Sequence, residues 1–436
     1  MTKFVSRLLK ETCYFTRLEN GLPVFFVPKK GIHKKAALFA VHYGSIDIDF
    51  IPSGGEREVK TPPGVAHFLE HLLFKKGDID LMSEFARYGG YYNAATGNTA
   101  TVYFFTATGY WNENLELLQR LVFTPYFSPE NVAKERLVIE QEIKMYRDIP
   151  EIRIMNNLLN NLYHEHPIRF DIGGTVESIK EITPKQLEFC YQTFYHPQNV
   201  VGIFIGDIDF SALVGQLNRY FEVATKSREG KGKPAEDGLK TQRGIVTEPV
   251  FVRNQQTVVE MAVARPRLLL GYKERHIGRT GEALFHQTIA TDLALDCILG
   301  KGSELYNRLY NEGLIDDDFS AAYELHPTFG QTIIGGETDK PDLLYEQLTR
   351  GINKARKQGI KRRDLYRLKR KYLGRFIRLF DDPQHIGIVL SHYYFNNLEV
   401  FQTPHYLNKV LWRDVTARLR EHLDPEYHAV SVVKPR

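Results

Sequence analysis

Cysteine is scarce in this chain, with three residues (Cys13, Cys190 and Cys297) spread over 436. No two of them have the spacing of metal ligands, and the odd count fits a reducing compartment better than a disulfide framework. A chain of this length buries a large core, so its fold needs neither disulfides nor a structural metal. We therefore expect a cytoplasmic protein.

Long apolar runs, biased repeats and an excess of one charge are also missing. The amino terminus lacks the apolar segment of a signal peptide, and no apolar run approaches the ~20 residues of a membrane span. Lys and Arg number 57 against 53 Asp and Glu, and the resulting net charge of +4 is too small to indicate a nucleic-acid binder. We expect neither nucleic acid nor a membrane as a partner.

One pattern of predicted elements occurs twice along the chain. In each half a strand is followed by a helix, a pair of strands, further helices and a last strand. Residues 225–243 separate the halves; they are polar, contain several glycines and lack apolar periodicity. This composition indicates a linker, with a long surface loop inside one domain as the alternative. The pattern predicts an α+β fold with two similar domains, 1–224 and 244–436.

The sequence HFLEH at residues 67–71 is the motif that carries chemistry. We predict that it lies on a helix that begins near Thr61, as the N-cap, and ends at Gly77. His67 and His71 are then one turn apart on one face, with Glu70 beside them. Two imidazoles so placed can bind one zinc ion, and this order of residues is the inverzincin motif.

Two surface histidines beside a solvated glutamate are the alternative interpretation of this motif. The neighbouring side chains argue against it, because Phe68, Leu69, Leu72, Leu73 and Phe74 make the helix mostly apolar. Polar side chains in such surroundings destabilise a fold unless they have partners.

A third metal ligand is needed, because a catalytic zinc site has three protein ligands and an open position. A long helix predicted from Pro129 to about Arg147 offers Glu135, Glu140 and Glu142. Glu135 and Glu142 are seven residues apart and share one face, whereas Glu140 points elsewhere. The residues alone leave open which of the first two binds the metal.

HFLEH, the distal glutamates and the stretch GGYYNAATGNTATVYFF together resemble the pitrilysin, insulinase and mitochondrial-processing-peptidase family of zinc peptidases. NGLPVFFVPK, HPIRFDIGGTVESIKEITPKQLEFCYQTFYHPQN and IGDID add to the resemblance, which is dense from about Arg17 to Asp209 and closest to the short bacterial members. The resemblance implies two α/β-roll-type domains, each a mostly antiparallel sheet with helices packed on one side, that form half of a clamshell chamber.

The resemblance also implies roles for the residues of the metal site. His67, His71 and Glu142 would be the ligands of one zinc ion per chain. Glu70 would be the general base of peptide-bond hydrolysis. Glu135 would be hydrogen-bonded near a ligand histidine and would orient it. The function implied is that of a zinc-dependent endopeptidase; a non-catalytic peptide-binding or scaffold subunit of the same fold is the alternative.

Asn93 and Ala94 match, by the same resemblance, an edge strand that pairs with the backbone of an extended peptide substrate. Without the resemblance, Asn93 fits a turn residue after Gly89 and Gly90. The sequence indicates no particular substrate beyond extended peptides or leader segments.

Partners are predicted from a departure from the family pattern. Family members use an arginine and a tyrosine of the second half to hold substrate, whereas the matching positions here are Tyr310 and a residue near Asp316. Arg308 or Tyr323 would be the substitutes to consider. The chain also has two domains where long members have four. We therefore predict a heterodimer with a metal-less paralogue that supplies the Arg/Tyr pair, with a homodimer as runner-up.

Overall fold

The computed structural model describes residues 1–77, 79–226, 241–244 and 246–436. Most of the predicted linker, 225–243, lies outside the described residues. Packing groups the described residues into two units, each made of several stretches of chain. Unit 1 comprises Met1–Ile143, Asp171–Gly244 and Ile377–Phe395, and unit 2 comprises Lys144–Phe170, Ile245–Phe376 and Asn396–Arg436.

Unit 1 is built on a sheet of seven strands, as far as its residues are described. The strands of the unit are β1 (Thr2–Ser6), β2 (Glu11–Arg17), β3 (Pro23–Pro28), β4 (Lys35–Val41), β5 (Asp49–Ile51), β6 (Val59–Lys60), β7 (Lys75–Lys76), β8 (Ile79–Asp80), β9 (Tyr91–Thr96), β10 (Thr101–Ala107), β11 (Val200–Gly206) and β12 (Gln242–Arg243). Its helices are α1 (Val65–Leu73), α2 (Leu81–Arg87), α3 (Trp111–Phe123), α4 (Pro129–Arg147), α6 (Val176–Glu181), α7 (Pro184–Phe194), α8 (Phe210–Lys226) and α13 (Pro383–Phe395).

The strand order of the main sheet is β1-β2-β3-β11-β4-β10-β9. All neighbours are antiparallel except β3 and β11, which are parallel. The hairpin predicted at Asn20 and Gly21 is present between β2 and β3, and Gly21 supplies the left-handed backbone that the turn requires, with φ of +85°. Strand β9 lies at one edge of the sheet, with β10 as its neighbour.

The central strand β4 is covered on both faces. Ala37, Phe39 and Val41 belong to the hydrophobic core that also contains the apolar side of α1. On the other face, Leu38 packs against α13: a Cβ built on Gly387 of this helix would lie 3.2 Å from Cδ1 of Leu38. The predicted mostly antiparallel sheet is thus confirmed, but helices are not confined to one side, because α13 covers the second face.

Unit 2 has a second, smaller sheet with the order β13-β17-β14-β16-β15. Its neighbours are antiparallel except β13 and β17. The elements of unit 2 are β13 (Gln256–Met261), β14 (Arg267–Lys273), β15 (Ser320–Leu325), β16 (Gly330–Glu337), β17 (His428–Pro435), α5 (Pro150–Leu162), α9 (Gly281–Leu299), α10 (Glu304–Asn311), α11 (Pro341–Gln358), α12 (Arg362–Arg378), α14 (Thr403–Lys409) and α15 (Trp412–His422). In the parts of the chain that are described, no helix combines the length and apolar character needed to cross a bilayer.

Two helices, α5 and α13, do not pack in the unit that their neighbours in the sequence belong to. Helix α5 follows α4 in the chain yet packs on the sheet of unit 2, where Leu158 and Leu162 close on the bare Cα of Gly271. The Asn161 side chain donates to the carbonyl of Val430 on β17, 3.0 Å away. Helix α13, conversely, packs in unit 1. The predicted continuous domains 1–224 and 244–436 remain a prediction, and the packing units are interleaved along the chain.

The start of α1 differs from the prediction. The helix begins at Val65 and is preceded by Gly64, whose backbone is left-handed with φ of +100°. Thr61 is therefore not the N-cap; its hydroxyl donates to the carbonyl of Ile48, 3.1 Å away. The helix also ends earlier than Gly77, at Leu73.

A buried charged cluster lies in the core of unit 2. The Glu274 carboxylate meets the guanidinium of Arg418 and lies 3.1 Å from Nδ1 of His422. Tyr323 donates its hydroxyl to the same carboxylate at 2.7 Å. Burial alone would raise the pKa of Glu274, but His422 and Arg418 outweigh it and hold that pKa well below its usual range. The hydroxyl of Tyr323, which the sequence left open as a substitute for the substrate-binding tyrosine, is thus engaged inside the unit.

Replacing Glu274 by Gln should destabilise the protein by about 3–5 kcal/mol, because Arg418 would be left buried without its counter-charge. The unfolding midpoint in urea measures this. Glu421 is a matched control, because it is half-exposed and lies 3.9 Å from the same guanidinium; Glu421→Gln should change stability by less than about 1 kcal/mol. Because the folded-state pKa is depressed, the contribution of Glu274 is present above pH 4.5 and lost on acidification below it. Equal acid sensitivity of the wild type and Glu274→Gln would contradict this assignment.

Candidate metal centre

Helix α1 brings His67 and His71 together on one side. The rest of the helix is buried against the core through Val65, Phe68, Leu69 and Leu72 and their neighbours. The i and i+4 spacing leaves the two histidines on the opposite, partly exposed side, with ring centroids 4.5 Å apart. The predicted pairing of the histidines on one helix face is therefore present.

Helix α4 supplies Glu142 to the same place. One Glu142 oxygen lies 3.3 Å from Nε2 of His71 and 3.9 Å from Nε2 of His67. Ligand atoms of the three residues all lie within 4.8 Å of one another. Tetrahedral ligands at zinc–ligand distances of about 2.1 Å are about 3.4 Å apart, so the spacing of these donors fits one zinc ion.

Glu135, the other glutamate on this face of α4, contacts the far side of His71. Its Oε1 lies 2.9 Å from Nδ1 of His71, and the residue is buried. In the neutral ring, a carboxylate at Nδ1 favours the tautomer with the proton on that nitrogen, so that the Nε2 lone pair faces Glu142. The seven-residue spacing left the two glutamates equivalent, but their positions differ: Glu142 lies at Nε2 of His71 and Glu135 at Nδ1.

The two histidines have opposite proton affinities. Burial, together with the neighbouring His71, lowers the pKa of His67 to about 4, although Glu142, Asp171 and Glu135 act in the other direction. Burial also lowers the pKa of His71, but hydrogen bonds with Glu135 and Glu142 outweigh it and raise the pKa to about 9. At neutral pH the His67 ring is therefore uncharged and keeps one lone pair. The His71 ring, between the two glutamates, favours its protonated form.

Glu70 lies beside the donors but is engaged elsewhere. It is buried, and it accepts a hydrogen bond of 2.5 Å from the hydroxyl of Thr96, the last residue of β9. Burial raises the pKa of Glu70, although the Thr96 hydrogen bond opposes the rise. The sequence reasoning missed Thr96; its signal was its place three residues after Asn93 in the stretch YYNAAT.

Asn93 and Ala94 lie on β9, at the edge of the sheet. They are paired with Phe104 and Tyr103 of β10 on one side. The Asn93 side chain accepts a hydrogen bond of 2.8 Å from the backbone N–H of Ala94. This N–H therefore points away from β10, along the free edge where an added strand would bind.

Two family models match the chain. The family model described as "Insulinase (Peptidase family M16)" matches residues 49–176, which include both histidines and Glu142. A second model, "Peptidase M16 inactive domain", matches residues 181–372.

Relatives of similar length are known. An uncharacterized zinc protease of Bacillus subtilis, YmfH, is 36% identical over 98% of both chains. The crystal structure of an M16-like peptidase from Alicyclobacillus acidocaldarius is 34% identical, covers 99% of this chain and all of its own, and superimposes with a TM-score of 0.91. Pitrilysin shares the fold, with a TM-score of 0.74 and 18% identity, and this chain covers 46% of its length. On the strength of the identity that extends along the whole chain, the protein belongs to peptidase family M16.

Proposed function

We propose that this chain is a zinc-dependent endopeptidase in which His67, His71 and Glu142 hold the ion and Glu70 is the general base. One observation carries the proposal: three donors lie at zinc spacing, with a buried carboxylate beside them that is tied to an open sheet edge. A non-catalytic peptide-binding subunit is the weaker alternative, because such a chain has no need of a complete donor set and a base.

The chemistry requires proton transfer by the protein. Bound at these residues, zinc would lower the pKa of a water molecule and polarise the carbonyl of the scissile bond. Glu70 takes a proton from the attacking water and later delivers it to the leaving amine nitrogen. The pKa of Glu70 is raised toward neutral pH, which suits both the uptake and the release of the proton. The hydrogen bond from the Thr96 hydroxyl keeps the Glu70 carboxylate oriented from the first proton transfer to the second.

Substrate binding follows from the edge strand. Strand β9 lies at a sheet edge, and an extended peptide can add to it as a further strand when it replaces the Asn93 side chain as the acceptor of the Ala94 N–H. Thr96 ends this strand at Glu70, so a peptide paired with β9 runs toward the base. We infer that extended peptides or leader segments are the substrates, selected mainly by backbone pairing.

Glu70→Gln should retain about one zinc per chain and lower peptide hydrolysis by about 10²–10⁴-fold, because the amide cannot accept the proton. Elemental analysis and cleavage of a quenched-fluorescent peptide library measure the two properties. Glu113→Gln, an exposed site at the start of α3, is the control and should hydrolyse normally. Undiminished turnover by Glu70→Gln would refute the assignment of the base and favour the non-catalytic alternative.

Glu142→Ala should lower the affinity for zinc, because two histidines alone are left to hold the ion. The affinity is measured by competition with a chromophoric chelator. Glu130→Ala lies on the same helix, where Glu130 is exposed and paired with Lys134, and should bind zinc like the wild type. Unchanged affinity in Glu142→Ala would mean that the third ligand is another residue.

We further propose that the active species contains a second chain, and that it is a heterodimer with a metal-less paralogue; a homodimer is the runner-up. Tyr310 occupies the position of the expected arginine, and Asp316 pairs with Arg265 at 2.8 Å. Tyr323 is held by Glu274, and Arg308 is exposed on α10. The chain also covers 46% of the length of pitrilysin, which is consistent with half of a larger enclosure. The half-chamber and the cytoplasmic location remain predictions.

Native purification followed by light scattering should yield a two-chain particle that contains a different M16 chain, and adding that chain to the isolated protein should raise peptide hydrolysis. The reason is that the substrate-holding side chains come from the partner. Full activity of the isolated chain as a dimer would contradict the heterodimer and support the homodimer.

A further inference from the structure

The Nδ1 atoms of the two proposed ligand histidines differ in their surroundings, and the difference needs an explanation. Nδ1 of His71 meets the Glu135 carboxylate, whereas Nδ1 of His67 is buried and has no hydrogen-bond partner among the described residues. A histidine that binds metal through Nε2 carries its proton on Nδ1, and that N–H is normally donated to a carboxylate, a carbonyl or a water. The ring of His67 therefore lacks an acceptor that the metal-bound state requires.

A tight turn at residues 171–174 borders this nitrogen. A Cβ built on Gly173 would lie 3.5 Å from Nδ1 of His67 and 3.4 Å from Oδ1 of Asp171. Both polar atoms thus face the same small space, which glycine leaves open. The Asp171 carboxylate also acts electrostatically on the His67 ring, so the two groups lie within range of each other.

The turn is fixed by its own hydrogen bonds. Asp171 accepts the backbone N–H of Gly173 on Oδ1 and that of Gly174 on its carbonyl oxygen, both at 2.9 Å. Gly174 has φ of +77°, a backbone conformation that side chains disfavour. The carboxylate is therefore held at the Gly173 end of the turn, and a carboxylate can accept several hydrogen bonds at once.

The turn is also locked to the helix that carries His67. A Cβ on Gly174 would lie 2.4 Å from the carbonyl oxygen of Pro63, and one on Gly64 would lie 2.6 Å from that of Gly173. Ser178, at the start of α6, donates its hydroxyl to the same Pro63 oxygen at 2.8 Å. Pro63 and Gly64 directly precede α1, so the positions of the turn and of His67 are set together.

We propose that Asp171 is a positioning residue for His67: its carboxylate accepts the Nδ1–H of His67 when Nε2 binds the metal, as Glu135 does for His71. The inference rests on the proposed function, since it concerns the metal-bound state. It assigns to the turn at 171–174 the task of fixing the ring orientation and tautomer of the first ligand. Asp171 does not touch the reacting atoms.

Asp171→Asn tests this assignment in the full-length chain. The amide oxygen of Asn can still accept the Gly173 N–H, so the turn is retained while the anionic acceptor is lost. Zinc affinity, measured by chelator competition, should fall about 10–100-fold. Asp209→Asn is the matched control, because Asp209 is exposed and accepts the Ala212 N–H at the start of α8 in a similar way; its affinity should equal that of the wild type. Unfolding midpoints should be alike in all three proteins.

Proton NMR of the zinc-loaded proteins gives a signature that a purely structural role would not produce. The wild type should show downfield imidazole N–H resonances from both His67 and His71; Asp171→Asn should lose the first and Glu135→Gln the second. Both resonances and wild-type affinity in Asp171→Asn would overturn the inference and assign the Nδ1 proton to a carbonyl or a water, while leaving the proposed function intact. A wild-type chain that takes up no zinc would overturn the proposed function and this inference together.

Discussion

The contact between Glu135 and Nδ1 of His71 is the interaction on which the rest of the site depends. It joins α4 to α1 from the side opposite the donors, at 2.9 Å and in a buried position. With Nδ1 engaged, Nε2 is the nitrogen that faces Glu142, so one hydrogen bond sets both the tautomer and the geometry of the donor set. Because Glu142 follows Glu135 by two helical turns on the same face of α4, the contact of Glu135 with His71 also places Glu142 beside the histidines.

A second contact couples this donor set to the sheet. Glu70 lies one residue before His71 on α1, and its carboxylate is held by Thr96 at the end of β9. The strand that would pair with a peptide and the group that would transfer the proton are thus parts of one hydrogen-bonded structure. An edge strand can shift by two residues without exposing its core face; the Thr96 hydroxyl opposes such a slip at the position where it would displace the base.

The sequence predicted those features that depend on spacing within one element. The pairing of His67 with His71 and the shared face of Glu135 and Glu142 follow from helical periodicity, and the hairpin at Asn20 and Gly21 follows from turn chemistry. Which glutamate faces the donors did not follow from spacing, because seven residues make both equivalent.

Features that depend on contacts between distant elements were not predictable in this way. Thr96 reaches Glu70 through the register of β9, and Asp171 reaches the neighbourhood of His67 through two glycines that close on Pro63 and Gly64. The start of α1 was predicted wrongly for the same reason, since Gly64 is shaped by the turn at Gly173 and not by a local cap. Helices α5 and α13 show this at larger scale: each is amphipathic or apolar enough to be predicted, but neither carries a local signal of the sheet it covers.

The surroundings of the buried carboxylates differ between the two units, and the difference distinguishes a stabilising cluster from a proposed functional one. In unit 2, Glu274 is surrounded by Arg418, His422 and Tyr323, so its charge is compensated by side chains and it has nothing further to bind. In unit 1, the carboxylate of Glu142 faces one nitrogen of each imidazole, and the His67 ring is uncharged at neutral pH. A compensated cluster stabilises a core, whereas a set of donor atoms gains stability from a cation that binds only the folded state. On the proposed function, a divalent cation held by His67, His71 and Glu142 would therefore stabilise unit 1 as well as serve the chemistry.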